Sequence, residues 1–532
     1  MLRLLASALA GTVLFSTPVS AEDLTILHIN DFHSRVEPIN KTDSTCSAKD
    51  AEANACFGGI ARLKTAIDQN RKDGTNVLLL DAGDEFQGSL FYTTYKGRDA
   101  AEFMNGLGFE AMAVGNHEFD DGPAVLSAFA DLLKLPLLSA NVDVSREPLL
   151  QNRIKPSTVI EKNGQRIGVI GLTPLDTPDL ASPGPNISFA DPVPAVRKEV
   201  ASLQAQGVTR IVLLSHSGYA EDKRIAATVD GVDAIVGGHS HTLLSNTEKN
   251  VAGPYPTLVK NPAGRDVPIV SAASYGKYLG KLTLTFDDAG EVTAAKGDPI
   301  LLDASIPEDE TLKARVAELA KPLEAVRAEV VAKVAAPLDG SRENCRVSQC
   351  EMGTLMADAM LDRVASQGVT IAIANGGGLR ASIDAGDVTM GEVLTVLPFQ
   401  NTLATMKLKG ADIVASLEQG VSGVQDLAGK FPQVAGLQID WTPQGIAGQN
   451  RIEAVRVRFG DRWTPIDPNA TYSVVTNDYM RRGGDGYRLF NEKAIDPYDF
   501  GPALETVLID YLKKQNEPYQ AYTDGRIANV AR

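Results

Sequence analysis

The sequence predicts two layered α/β domains joined by a helix. Three observations carry that expectation. Over the first ~300 residues short apolar runs alternate with longer helix-like stretches, the pattern of an α/β layered domain. A stretch of about thirty residues then places apolar side chains every three or four positions, as one helix face requires. Beyond residue 337 a second α/β-type region follows, with Gly-rich loops of its own.

The elements can be taken in order. Residues 1–21 read as an export leader: Arg3 gives a positive start, "LLASALAGTVLF" an apolar core, and "VSA" (19–21) a small-residue cleavage site after Ala21. The apolar run is too short to span a bilayer, and no second run of that length follows. Position 22 is not Cys, and "YTDGRIANVAR" lacks a GPI-type hydrophobic tail. A periplasmic or secreted protein without a membrane anchor is expected. Buried strands are predicted at "LTILHI", "NVLLL", "EAMAV", "LPLLSA", "RIGVIGL", "RIVLLS" and "DAIVGG", and helices at "GGIARLKTAIDQNRK" and "DAAEFMNGLG". These make a first domain over 22–305. A linker helix over 306–336 follows from the spacing of Leu312, Val316, Leu319, Leu323, Val326 and Val330. Ser305 and Pro307 mark its start and Pro322 predicts a kink. The second domain covers 337–532.

Composition narrows the partners. The net charge of −16 argues against nucleic acid, whose phosphates nothing would neutralise. Loss of the leader removes only Arg3 and leaves the chain more acidic. An anionic small molecule would therefore need local cations that overcome the overall field. The four cysteines form two close pairs, Cys46 with Cys56 and Cys345 with Cys350. In an oxidising compartment two short-range disulfides are expected; a zinc knuckle is the alternative, but neither pair has C-x-x-C spacing or a nearby His. Nothing in the sequence sets an oligomeric state.

The chemistry lies at strand ends. The loops read "HINDFH", "LLLDAGD", "AVGNHEFD", "LLSHSG" and "VGGHSH", and five of the six histidines (His33, His117, His216, His239 and His241) fall in them. Each loop offers Asp, Asn or His donors suited to divalent first-row metals, with zinc foremost and manganese a further option. A lone H-x-H or D-x-H motif is commonly incidental; five at successive strand ends are not. His28 lies inside the first strand and reads as structural. Asp81 reads as a loop holder rather than a ligand.

The series D-x-H, G-D, G-N-H-E, H, G-H-x-H resembles the calcineurin-like metallophosphoesterases. "LTILHINDFHSR", "NVLLLDAGDEFQGS" and "GNHEFDDG", with "NGGGLR", "LPF" and "GGDGY" in the second half, resemble the 5′-nucleotidase and UDP-sugar hydrolase family across nearly the whole mature chain. The resemblance implies one metal on Asp31, His33 and His241, a second on Asn116, His216 and His239, and Asp84 bridging. His241 stands where the 5′-nucleotidases usually have an amide. His117 would meet the phosphoryl or leaving oxygen, with Asp120 orienting its ring. Substrate contacts carry over to Arg35, Asn116, Arg346 and Arg380 for phosphate, Phe399 and Tyr479 as rings flanking the base, Asp485 for the ribose and Asn375 for the nucleoside. The family commonly has Phe at the position of Tyr479.

The implied reaction is two-metal hydrolysis of nucleoside 5′-monophosphates such as AMP, with UDP-sugars or nucleoside di- and triphosphates as further substrates. The alternatives are a 2′,3′-cyclic phosphodiesterase/3′-nucleotidase and, from another class, an inactive nucleotide-binding protein. Relatives rotate the second domain between open and closed forms, so Pro322 is the expected pivot.

Overall fold

The computed structural model describes residues 22–531 apart from 42, 44, 73–75, 288, 400, 461, 500, 516 and 517. The leader expected over 1–21 lies outside the described residues. All seven apolar runs named above contain strands. Glu22–Ile29, Val77–Asp81, Ala111–Ala113 and Leu137–Leu138 belong to one sheet, and Gln165–Leu172, Arg210–Ser215 and Ala234–Gly237 to a second. Their near-continuous apolar character follows from burial on both faces. Leu24, Ile26, Leu78 and Leu80 point into the core between the sheets, with Val169, Val212 and Val236 facing them. The alternate residues Leu27, Ile29 and Leu79 face an outer helical layer with Ile60, Leu63 and Met104. On the far side Ile170, Leu172 and Leu213 pack on Val196, Val200 and Ile225 of outer helices. The result is a helix–sheet–sheet–helix sandwich, in which each buried Leu or Ile contributes about 1.5–3 kcal/mol.

The helix after this sandwich differs from the expectation at both ends. It runs Glu310–Arg327, capped by Asp309, whose side chain accepts from Leu312 N at 2.9 Å. Ser305 is engaged instead with Asp303, so it is a turn residue. Pro322 lies within the helix without ending it, and Val316, Ala320 and Leu323 join the first core. Val330, the last residue of the helical series, begins the strand Val330–Val334, which pairs antiparallel with Gly386–Thr389. Strand pairing outweighs the helical spacing there, so 306–336 is not one linker helix.

The second region has a five-stranded sheet in the order 432–435, 371–375, 471–477, 403–409, 495–498, and a four-stranded sheet beside it. Ile371–Asn375 and Thr471–Asn477 are parallel neighbours. Their carboxyl ends therefore release two loops on the same edge: the Gly-rich turn leading to Arg380, and the turn carrying Tyr479 and Asp485. The helix Glu351–Val364 packs beneath, with Leu355, Met356 and Met360 fully buried. Both expected disulfides are formed, Cys46–Cys56 with Cα atoms 5.7 Å apart and Cys345–Cys350 with 5.1 Å. Among the described residues no helix is long and apolar enough to cross a membrane.

Candidate metal centre and facing cavity

In parallel sheets ligand groups collect where strands end at their carboxyl edge. Here two sheets bring those edges together. Asp31 and His33 follow Ile29, Asp84 follows Asp81, Asn116 follows Ala113, His216 follows Ser215, and His239 and His241 follow Gly237. The tight reversals put Asp31, His33, Asp84, His239 and His241 all at φ between 51° and 70°. Left-handed backbone at a non-glycine costs on the order of 1–3 kcal/mol and persists only where surroundings enforce it.

Two donor clusters result. Asp31, His33 and His241 form one; Asp84, His216 and His239 form the other, with the ligand atoms of each within 4.8 Å of one another. His33 Nε2 and His241 Nε2 face each other at 3.2 Å. Two donors on a tetrahedral zinc stand about 3.3 Å apart at usual Zn–N lengths. His33 Nδ1 lies 3.0 Å from Phe86 O and His216 Nδ1 2.6 Å from Ala82 O, which turns each Nε2 inward. His216 Nε2 is buried without a hydrogen-bond partner, although Asp84 Oδ2 lies 2.9 Å away. The same Asp84 oxygen is 3.8 Å from His33 Nε2, so this carboxylate reaches both clusters. Asn116 Oδ1 meets His239 Nδ1 at 2.9 Å. This mixed N/O set, inward-facing and partly orphaned, fits two divalent cations.

Charge within the site follows from burial and neighbours. Burial, helped by Arg380 for His33, His216 for His239 and Arg342 for His241, pushes these three imidazoles well below the usual range, leaving them neutral and free to ligate. Burial would raise the Asp84 carboxyl, but His216, His117 and His33 outweigh it and hold it well below the usual value. Burial raises Asp31 to about 6. His117 lies beside the clusters: its Nδ1 is 2.7 Å from Asp120 Oδ2, and its backbone N–H donates to Asp84 Oδ1 at 3.0 Å. Burial opposes the His117 imidazolium, yet Asp120 and Asp84 prevail and raise its pKa. The ring is thus poised to donate.

The other expected residues take various places. A cavity of about 740 Å³ separates the metal clusters from the second region, and Arg342, Arg346, Arg380, Phe399, Tyr479 and Asp485 are among its walls. Arg380 Nη2 reaches His33 Nε2 at 3.2 Å. The Phe399 ring lies nearly parallel to that of His117, with centroids 5.6 Å apart. Asn375 lines the cavity while donating to Asp485 Oδ2 at 2.6 Å. Arg35 does not line it; this guanidinium is buried over the Tyr275 ring, 5.0 Å from its centroid. Arg342 is a further cation of the wall, beside Arg346, Arg380 and Lys430. It precedes Arg346 by four residues, and that single-turn spacing in "SRENCR" was the available signal. His28 is fully buried against the Tyr255 hydroxyl at 2.9 Å, and Asp81 accepts from Gly83 N at 2.9 Å; neither belongs to a donor cluster.

The layered sandwich and its paired donor clusters define a metal-dependent phosphoester hydrolase of the calcineurin-like class. Residues 24–243 match the family model for calcineurin-like phosphoesterases, and residues 330–492 match that for the 5′-nucleotidase C-terminal domain. The chain belongs to the 5′-nucleotidase family. It is 39% identical to a 5′-nucleotidase of Diplobatis ommata, over 95% of this chain and 90% of that one, and 38% identical to one of Mus musculus, over 96% and 91%. The solved structure of a 5′-nucleotidase precursor from Thermus thermophilus superposes with a TM-score of 0.91 at 42% identity, covering 96% of this chain and 100% of its own.

Proposed function

We propose that the protein is an exported hydrolase of nucleoside 5′-monophosphates such as AMP, working with two zinc ions. The observation that carries this reading is one cavity with members of both His/Asp donor clusters on one wall (His241 of one, Asp84 and His239 of the other) and three arginines with two aromatic rings on the other. A phosphate between the walls would meet cations on both sides, while a base and ribose extend along the second region. Domains over 22–305 and 337–532 supply chemistry and recognition respectively. The two disulfides fit an oxidising compartment.

In this reading Asp31, His33 and His241 would hold one ion and Asn116, His216 and His239 the other, with Asp84 placed to serve both. The bound ions supply an acidified water and charge for the phosphoryl oxygens. Arg342, Arg346 and Arg380 bind and orient the phosphate. His117, held by Asp120, donates its proton to the leaving oxygen. Phe399 and Tyr479 flank the base, and Asp485 accepts from ribose hydroxyls while Asn375 fixes that carboxylate. Arg35 acts indirectly, from beneath Tyr275.

The test is product release from AMP, UMP, ATP, UDP-glucose and 2′,3′-cyclic AMP by the mature protein, stripped and then reloaded with zinc or manganese. Inorganic phosphate is measured for AMP, UMP and ATP, and the nucleotide products are resolved by chromatography for UDP-glucose and 2′,3′-cyclic AMP, whose first hydrolysis frees no inorganic phosphate. The expected result is metal-dependent release led by the 5′-monophosphates. Preference for the cyclic nucleotide, or no release from AMP with two ions bound, would overturn the reading.

A further inference from the structure

We infer that Glu118 is a positioning residue that clasps two metal-ligand loops together. It never touches the proposed ligand cavity: its side chain is fully buried within the one-turn 3-10 helix His117–Phe119. Its two oxygens accept four backbone N–H groups. Oε2 takes Asp84 N at 3.1 Å and Gly115 N at 2.7 Å; Oε1 takes Glu85 N at 2.9 Å and Phe86 N at 3.2 Å. Three of these donors belong to the loop that carries Asp84, and the fourth precedes Asn116. One carboxylate therefore fixes the bridging ligand of the proposed metal pair relative to the loop of another ligand. A second link runs the other way, from His117 N to Asp84 Oδ1.

The chemistry explains why a carboxylate stands here. Four N–H donors converge on two oxygens, which a carboxyl side chain provides and an amide, with a single oxygen, does not. A Gln would present an NH2 group to donors, leaving two of them facing another donor. The clasp has a task, because Asp84 sits at φ 62°, a conformation that a side chain adopts only under constraint. Space is equally tight: a Cβ on Gly115 would meet Asp84 Oδ1 at 2.2 Å, so the two loops already touch. Without Glu118, the Asp84 loop has a strained ligand and buried N–H groups with no acceptor, and relaxation would carry the carboxylate off the bridging position.

This inference rests on the two-metal reading above, and the experiment separates the two. Zinc affinity is measured for the mature protein, Glu118→Gln and Glu118→Asp by competition with a chelator, with bound zinc counted by elemental analysis. The wild type is expected to hold two zinc ions. Both variants should keep their disulfides and bind zinc 10- to 100-fold more weakly, the scale on which supporting partners of metal ligands act. Their lost turnover should return as zinc is raised. Zinc affinity within twofold of wild type in a folded variant, even with a lowered Tm, would leave Glu118 a purely structural residue and overturn the inference. A wild type that does not hold two ions defeats the two-metal reading itself, together with this inference. Should neither variant fold, hydrogen exchange on the zinc-free wild type decides. The amides of Asp84, Glu85, Phe86 and Gly115 should remain protected without metal; exchange at open-loop rates beside protected strands overturns the clasp.

Discussion

The two walls of the cavity are built on opposite terms. The metal wall is held by strained, short-range backbone: five proposed ligands lie in left-handed conformations at strand ends, and three imidazoles are driven neutral by burial and nearby cations. Burial and mutual repulsion lower the pKa values of the Arg342 and Arg346 guanidinium groups in the facing wall, but an arginine stays protonated in proteins, so that wall keeps its charge. Arg342 Nε and Arg346 Nε are buried without hydrogen-bond partners, and Arg380 leans across to His33. Position is thus enforced on one side, while unsatisfied cationic charge waits on the other. The difference teaches that changes in the first wall should act on metal and rate, and changes in the second on substrate affinity.

The largest expected effect breaks the metal wall. Asp84→Asn removes the carboxylate that reaches both clusters. Losing several kcal/mol of metal-derived stabilisation should lower turnover on the order of 1000-fold or more. Elemental analysis should show reduced metal content. Near-normal turnover with two ions still bound would remove Asp84 from the bridging role.

His117→Ala comes next and sharpens the division inside that wall. A donor aimed at developing charge is worth on the order of 100- to 1000-fold in kcat. Because His117 meets Asp84 through its backbone N–H, which Ala retains, the metal content should not change. A missing ion would make His117 a ligand.

The arginine wall should answer differently. Arg342→Ala deletes a half-buried cation of the cavity wall, at the proposed phosphate position. A charge-assisted hydrogen bond contributes about 1.5–3 kcal/mol, so KM for AMP should rise roughly 10- to 100-fold. kcat should fall far less, and bound metal not at all. Equal losses in kcat and kcat/KM would mean that Arg342 acts in the transition state, and the contrast between the walls would weaken.

The same contrast explains what could be read from the sequence. The first wall was legible because its residues lie in five short strings, each ending an apolar strand, so local pattern and global position coincide. The second wall is assembled from residues 342–346, 375–399 and 479–485, which are far apart in the chain, and its loops at 375–380 and 479–485 meet through the pairing of Ile371–Asn375 with Thr471–Asn477. No local pattern announces that pairing, and those residues came from family resemblance. Arg342 is hard to read from the sequence because, its four-residue spacing to Arg346 apart, an Arg before a cysteine loop looks like any surface cation. The resemblance implies that Arg35 binds phosphate, yet the turn after His33 carries its guanidinium over the Tyr275 ring. The helix end failed for a related reason: Val330 continues a helical spacing, and only its partner strand at Gly386–Thr389 makes it extended.

The smallest expected effect tests how finely the second wall is divided. The Tyr479 hydroxyl donates to Asp485 Oδ1 at 3.2 Å and accepts from Asp485 N at 3.1 Å. Asp485 itself sits at φ 55°, so this hydroxyl helps to hold a strained residue at the proposed ribose position. The Tyr479 ring has a separate anchor, since it packs so closely on Gly484 that a Cβ there would meet it at 2.5 Å. Tyr479→Phe keeps that ring and its stacking face, and removes the hydroxyl with these two hydrogen bonds. A neutral hydrogen bond is worth about 1 kcal/mol net, and Asn375 still holds the other Asp485 oxygen. KM for AMP should therefore rise only ~2- to 10-fold, with kcat and metal content unchanged. Tyr479→Ala, which also removes the ring, should be clearly worse, as loss of an aromatic stacking face on a base is worth about 1–3 kcal/mol. If Phe proves as damaging as Ala, the hydroxyl and not the ring is what the nucleoside uses at this position. A fall in kcat at constant KM would instead move Tyr479 to the chemical side of the cavity.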